Sequence, residues 1–155
     1  MYAAVDILKL VPNARFLLAG NTGQDIIELA DTLGISDRVI FPHFRKDVPE
    51  ILACMDLYVQ PSLTEGLGSA MVQAMAMGKP VVGSRTGGIR EAVIEGETGV
   101  LCEVDEFAPT IIKLTKEPQM LQQMGLRGRE RVLKLFNVER LIDQAEELYR
   151  TTIQN

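Results

Sequence analysis

Five short apolar runs, each halted by turn residues, alternate with segments of helical period, and this rhythm narrows the fold further than any other feature of the chain. The runs are Arg15 to Gly20 (RFLLAG), Arg38 to Phe44 (RVIFPHF), Leu57 to Ser62 (LYVQPS), Pro80 to Arg85 (PVVGSR) and Gly99 to Val104 (GVLCEV). Runs of this length, apolar on consecutive residues, suit strands covered on both faces, and the helix between each pair is what a parallel crossover needs. Helices are predicted at Tyr2 to Leu10, Asp25 to Leu33, Val48 to Met55, Gly68 to Met77 and Ile89 to Glu95. After the fifth run the period is helical only, from Phe107 to Glu117, Met120 to Phe136 and Val138 to Thr152. The expected fold class is α/β: a doubly wound parallel sheet of about five strands, helices on both faces, and a helical C-terminal segment. The chain opens on a helix, so the strand that ordinarily precedes such a helix is expected to be missing from the sheet.

Composition bounds the function classes. At 155 residues and 46% apolar, the chain is long enough for one domain with a real core, taken as 1–155. The net charge of −5 gives a field that repels a phosphate backbone, so nucleic acid is not an expected partner. Cys54 and Cys102 lack the close pairing of a metal or redox motif and are expected to be buried thiols in a reducing, cytoplasmic setting. The opening MYAAVDILKLVPNAR has acidic Asp6 inside its apolar run and no basic leader, unlike a signal peptide, and no run reaches membrane-spanning length. The basic stretch Arg127, Arg129, Arg131 and Lys134 reads as a solvated helix face, with a peripheral membrane contact as the other reading.

A doubly wound sheet binds its ligand outside the carboxyl ends of its strands. The loops Gly20 to Gly23, Phe44 to Lys46, Ser62 to Gly68 and Arg85 to Gly88 are therefore expected to share one crevice. In TEGLGSAMVQAMAMGKP, Gly66 and Gly68 let the backbone approach a ligand, and the unpaired amides of Leu67, Gly68, Ser69 and Ala70 suit an anion. Glu65 either favours the helix macrodipole or faces hydroxyl donors, since a carboxylate would repel a phosphate beside it. Gln73 lies in a helix apolar nearly all round, is expected to be buried, and so needs a partner: a backbone group or a ligand hydroxyl. Gly66 to Met71 reads GxGxxM and no GxxxxGK[ST] occurs, which leaves a nicotinamide-binding domain as a weak rival. His43 has no companion at a metal-ligand spacing, and Arg45 and Lys46 close a strand as a solvated turn or as nucleotide contacts.

Taken in order, RFLLAG, the span from GISDRVIFPHF through TEGLGSAMVQAMAMGKP to GVLCEVDE, and FNVERLIDQAEELY resemble the C-terminal half of the family 4 retaining glycosyltransferases, which have GT-B architecture. The resemblance implies a Rossmann-like domain that binds a nucleotide-diphosphate sugar, with no metal or other cofactor. The family's two glutamates separated by seven residues map to Glu65 and position 73. Glu65 would meet the donor sugar's hydroxyls, the amides of Gly66 to Ser69 the diphosphate, and the second acid the ribose. Here the second acid is Gln73, whose amide oxygen still accepts a hydrogen bond but carries no charge. Phe44 and Arg45 fall at the family's nucleobase contacts, and Gly87 and Gly88 at its paired glycines by the donor cleft. The family's Arg and Lys pair and its acceptor-binding N-terminal half would lie upstream of Met1. The implied reading is an incomplete glycosyltransferase that needs an N-terminal half in cis or trans. The alternative is a non-catalytic nucleotide- or partner-binding module of the same fold. Either way, a missing strand and half are expected to expose an edge or apolar patch and promote self-association.

Overall fold

All five apolar runs form strands, each shorter than the run that predicts it. In the computed structural model, which describes residues 1–20 and 22–153, they are β1 (Phe16–Leu17), β2 (Val39–Ile40), β3 (Tyr58–Gln60), β4 (Val81–Ser84) and β5 (Val100–Cys102). Asn21, inside the expected Gly20 to Gly23 loop, lies outside the described residues, as do 154 and 155. The run containing β2 cannot continue through Pro42 and His43. Proline has no N–H for a ladder, and His43 takes a left-handed φ of 56° that turns the chain. The fifth run ends where Val104–Glu106 winds into a 3₁₀ turn, closed by a bond of 2.9 Å from the Glu103 amide to Glu106 Oε2. Neither this turn nor a second one at Ser36–Arg38 was legible in the hydrophobic period.

Between and after the strands run α1 (Tyr2–Leu10), α2 (Gln24–Thr32), α3 (Val48–Ala53), α4 (Ser69–Ala76), α5 (Ile89–Ala92), α6 (Phe107–Leu114), α7 (Pro118–Leu135) and α8 (Val138–Ile153). All strand pairs are parallel, as the crossover helices demand. The expected single sheet, however, is two ladders, β1–β2 and β3–β4–β5. In the larger ladder Tyr58 faces Val81 and Gln60 faces Gly83, while Val82 faces Val100 and Ser84 faces Cys102. β4, paired on both edges, is buried at all four residues, whereas β1, β2, β3 and β5 each have one strand neighbour among the described residues and are less completely covered. Hydrophobic period reports which residues are covered, not which strand lies alongside, so it could not show the division.

α1 spans the two ladders. Ala4 is buried with Ala30, Ile35 and Val39 on the β1–β2 side, while Ala3 packs against the cluster of Val82, Cys102, Phe107 and Leu114. The third core lies between β3–β4 and α4, α5 and α7, and is built on Met71, Met75, Val81, Ile89 and Val132. A helix is about 10 Å across and neighbouring strands are about 4.8 Å apart, so one helix resting on both ladders covers a width of about two strand spacings.

The basic stretch on α7 is more than a solvated face. Arg129 Nη1 donates to the Ala76 carbonyl at 2.8 Å, at the end of α4. Arg131 donates from Nε to the Ala92 carbonyl at 2.9 Å and from Nη2 to the Glu91 carbonyl at 2.8 Å, at the end of α5. Both guanidinium groups thus satisfy last-turn carbonyls that a helix leaves unpaired, at the negative end of its dipole. Gly125 and Gly128 allow this approach: a Cβ at 125 would lie 3.0 Å from the carbonyl carbon of Gly78, and one at 128 would lie 3.2 Å from the oxygen of Thr98. The cysteine expectation is half corrected. Both thiols are free and Cys102 is buried, but Cys54 is exposed because it follows the last residue of the short surface helix α3.

Candidate functional site

The carboxyl ends of β3 and β4 carry the two loops that matter most, 61–68 and 85–88. The first is pinned to the second strand by hydroxyls: Ser84, buried at 4% exposure, bonds through Oγ to the Ser62 carbonyl, and Thr86 Oγ1 donates to the Leu63 carbonyl at 3.2 Å. Gly87 and Gly88 close the contact. A Cβ at Gly87, which has a φ of 41°, would lie 2.9 Å from the carbonyl carbon of Glu65, and one at Gly88 would lie 2.7 Å from Cα of Leu67. The Gly88 amide also donates to the Gly66 carbonyl at 2.6 Å. These glycines are needed because the two backbones meet where no side chain fits. Of the loops expected in one crevice, 62–68 and 85–88 are brought together here, with Glu65, Gly66 and Leu67 against Gly87 and Gly88.

Glu65 is half-buried and held through one oxygen. Gln60 Nε2 donates to Glu65 Oε2 at 2.6 Å, and Ser62 Oγ donates to the same atom at 3.1 Å. Behind them, the Tyr58 hydroxyl donates to Gln60 Oε1 at 2.9 Å. Tyr58 and Gln60 are two residues apart on β3 and so share one face, with Tyr58 packed against the core under α4. Burial, and then the charge of Glu65, push the Tyr58 hydroxyl up to about 12, which extends its donor form from the neutral range well into alkaline pH. The carboxylate also fixes the Gln60 amide: only its NH₂ end can face Oε2, which turns its oxygen toward Tyr58. No hydrogen bond engages Glu65 Oε1 among the described residues.

α4 begins beside this carboxylate. Gly68 precedes it in the left-handed region at φ 72°, buried, with Ile89 Cγ1 and Glu65 Cγ 3.4 and 3.5 Å from where its Cβ would be. No side chain caps the helix, so its first amides are left for solvent or a ligand. Gln73 corrects the expectation. It is exposed, since the buried stripe of α4 runs through Met71, Ala74 and Met75, and the helical turn carries residue 73 to the opposite side. It shares that outer face with exposed Ser69 and Ala70, one turn from the helix start. A buried amide in search of a partner is therefore an amide presented to solvent.

Phe44 and Arg45 lie on the other ladder, past the end of β2. Phe44 is 75% exposed. Arg45 grips Asp47 through Nε to Oδ1 at 2.8 Å and Nη2 to Oδ2 at 2.5 Å, a fork that holds the Asp47 carboxyl below its usual range. The guanidinium is thus committed locally. The Gly20 amide donates to the His43 carbonyl at 3.2 Å, which ties the ends of β1 and β2 at the same side of the molecule. No hydrogen bond or ion pair joins Phe44 or Arg45 to the Glu65 loop among the described residues.

Residues that hold the site without an obvious motif are Gln60, Ser62, Ser84 and Thr86. Their one sequence signal was polarity within apolar strands, as in LYVQ and VVGS. A separate surface cavity of about 370 Å³, lined by Ile94, Glu97, Thr98, Arg127, Arg131 and Lys134, includes none of the expected site residues. Among the described residues, no three His, Cys, Asp or Glu side chains are gathered as a metal would require, and no helix is long and apolar enough to cross a membrane.

The sequence and the overall fold of the chain match a known family. The family model described as glycosyl transferases group 1 matches residues 1–131, and the chain belongs to that family. It is 36% identical over 148 residues to the N-acetyl-alpha-D-glucosaminyl L-malate synthase of Bacillus anthracis, covering 92% of this chain and 39% of that protein. It is also 36% identical over 126 residues to the D-inositol 3-phosphate glycosyltransferase of Mycolicibacterium smegmatis, covering 73% of this chain and 29% of that protein. Among solved structures, Anabaena Alr3699/HepE in complex with UDP superimposes with a TM-score of 0.88 at 27% identity, over 97% of this chain and 45% of that one. Sucrose-phosphate synthase from Thermosynechococcus elongatus gives 0.88 at 29% identity, over 98% of this chain and 42% of that one. The Rossmann-like fold and the resemblance to one half of a GT-B glycosyltransferase are thereby established, and the chain spans less than half the length of each of these proteins.

Proposed function

We propose that this chain is the donor-binding half of a retaining, metal-independent glycosyltransferase, and that it holds a nucleotide-diphosphate sugar at the crevice between loops 61–68 and 85–88. The observation that carries the reading is Glu65: a carboxylate fixed through Oε2, with Oε1 unengaged, at the start of an uncapped helix. A carboxylate there suits sugar hydroxyls, which donate to it, while the backbone amides of Leu67 to Ala70 suit a diphosphate. As the glycosidic bond to the diphosphate breaks, negative charge grows on the leaving oxygen, and fixed amides aimed at it lower the barrier. Gln73, on the same exposed face one turn further along α4, is assigned to the ribose hydroxyls. The exposed ring of Phe44 and the backbone at Arg45 are assigned to the nucleobase, with UDP as the first nucleotide to try because the Anabaena neighbour is solved with it.

The acceptor site and the completed transfer are assigned to a further half, in cis or in trans. Support comes from the matched lengths, less than half of each of these relatives, and the division of the sheet suits a further strand within this same domain. Doubly wound sheets usually run 3-2-1-4-5-6, with the first strand central. With α1 following that strand, β1 and β3 are its two neighbours, and the observed division falls between them. Binding of UDP-glucose to this chain by calorimetry, lost in Glu65→Ala, tests the donor reading. Binding that survives Glu65→Ala unchanged contradicts the role given to that residue.

A further inference from the structure

We infer that Gln60, backed by Tyr58, is a positioning residue for Glu65 that selects which carboxylate oxygen is offered to the donor sugar. The inference rests on the reading of Glu65 as the sugar-binding acid and deepens it. Gln60 sits at the last position of β3, so its backbone is fixed by pairing with Gly83 rather than by the loop. Its Nε2 and the Ser62 hydroxyl both donate to Oε2, at 2.6 and 3.1 Å, and neither engages Oε1. Two donors converging on one oxygen fix the plane and direction of the carboxylate. The free oxygen is thereby aimed without a bond that a sugar hydroxyl would have to displace.

Tyr58 supplies the other end of the relay. Its hydroxyl donates to Gln60 Oε1 at 2.9 Å and its ring is packed in the core, so the amide is held at both ends. A free glutamine loses considerable rotamer freedom on ordering, and this anchoring has met that cost before any ligand arrives. Gly68 borders the relay, where a Cβ would make ordinary contact with Glu65 Cγ at 3.5 Å and Gln60 Nε2 at 3.9 Å, and its φ of 72° is what calls for glycine. A strand-borne amide therefore controls a loop-borne carboxylate, and the ligand class it serves is a hydroxyl-rich sugar attached to a nucleotide diphosphate.

The test compares wild type with Gln60→Leu, Gln60→Glu and Tyr58→Phe, each first shown to be folded by its circular dichroism and melting curve. In the ligand-free chain, carbon-13 relaxation at Glu65 Cγ is expected to show a more mobile side chain in Gln60→Leu and a smaller increase in Tyr58→Phe. Calorimetry is expected to show UDP-glucose affinity reduced roughly 3- to 10-fold in Gln60→Leu, with UDP affinity unchanged. Gln60→Glu keeps the size but sets a second carboxylate against Glu65, so its loss for UDP-glucose should be at least as large. Unchanged Glu65 mobility in Gln60→Leu, or equal losses for UDP and UDP-glucose, would overturn the inference. If wild type bound neither nucleotide, the donor-site reading would fall, and the relaxation comparison would still decide whether Gln60 positions Glu65.

Discussion

Because Gln73 stands on the exposed face of α4, its conversion to glutamate adds a charge without touching the core. Gln73→Glu is expected to leave the melting temperature unchanged and to tighten nucleotide-diphosphate binding by up to about 1 kcal/mol, through a charge-assisted bond to a ribose hydroxyl. Weaker binding, measured by calorimetry, would mean that the amide hydrogens are the groups used. Gly88 has no such freedom: a Cβ there overlaps the backbone of Gly66 and Leu67, so Gly88→Ala should cost about 1 to 3 kcal/mol, read as a fall in the urea midpoint. Tyr58 gives a pH signature. Its hydroxyl is raised from 10 to about 12 in the fold, so the neutral form is favoured there. The stability this brings is complete below pH 10 and is lost as pH rises toward 12. Urea midpoints should therefore fall more between pH 9 and 11.5 in wild type than in Tyr58→Phe, and equal falls would count against it. Of these residues, Glu65 was legible as a carboxylate at a helix start, and its role and the paired glycines were legible through the family resemblance. The burial of Gln73 was misread because apolar composition around a helix does not say which side meets the core. Gln60 went unnoticed because one polar residue in a short strand looks the same whether it is solvated or, as here, bonded to a carboxylate.

The elements show a division of labour between those that carry the site and those that hold the carriers. α4 presents its uncapped start to the crevice, and α7 secures its far end through Arg129 and that of α5 through Arg131. Bonds from a charged donor to a carbonyl are worth more than neutral ones, so Arg131→Met, which keeps the apolar stem, should cost about 1 to 2 kcal/mol. Amide hydrogen exchange in that variant is expected to speed up in α5 and its junction with α7, with β1 and β2 unaffected. Uniform acceleration throughout the chain would show that α7 braces the whole fold instead. Helix and strand order along the chain was legible because periods of 3.6 and continuous apolar runs differ plainly. Strand ends were not, since the stop at His43 is set by a positive φ in a residue that seldom adopts one. The capping role of the α7 arginines was hidden as well, because carbonyls more than thirty residues away leave no mark beside the basic residues.

At the scale of the whole molecule, the sheet is divided into two ladders, and α8 exposes Val138, Leu141, Ile142, Leu148 and Tyr149. Open strand edges and an apolar helical stripe are surfaces that suit a chain spanning less than half the length of the proteins it matches. The sequence motifs carried the family; the division of the sheet into two ladders needed coordinates, because strand order is not a local property. The central claim is that Glu65 reads the sugar while the start of α4 reads the diphosphate, and one comparison separates the two. Calorimetric titration of wild type and Glu65→Ala with UDP and with UDP-glucose should show similar UDP affinity for both and a loss of roughly tenfold or more for UDP-glucose in the variant alone. Equal affinity of Glu65→Ala and wild type for UDP-glucose would contradict the account.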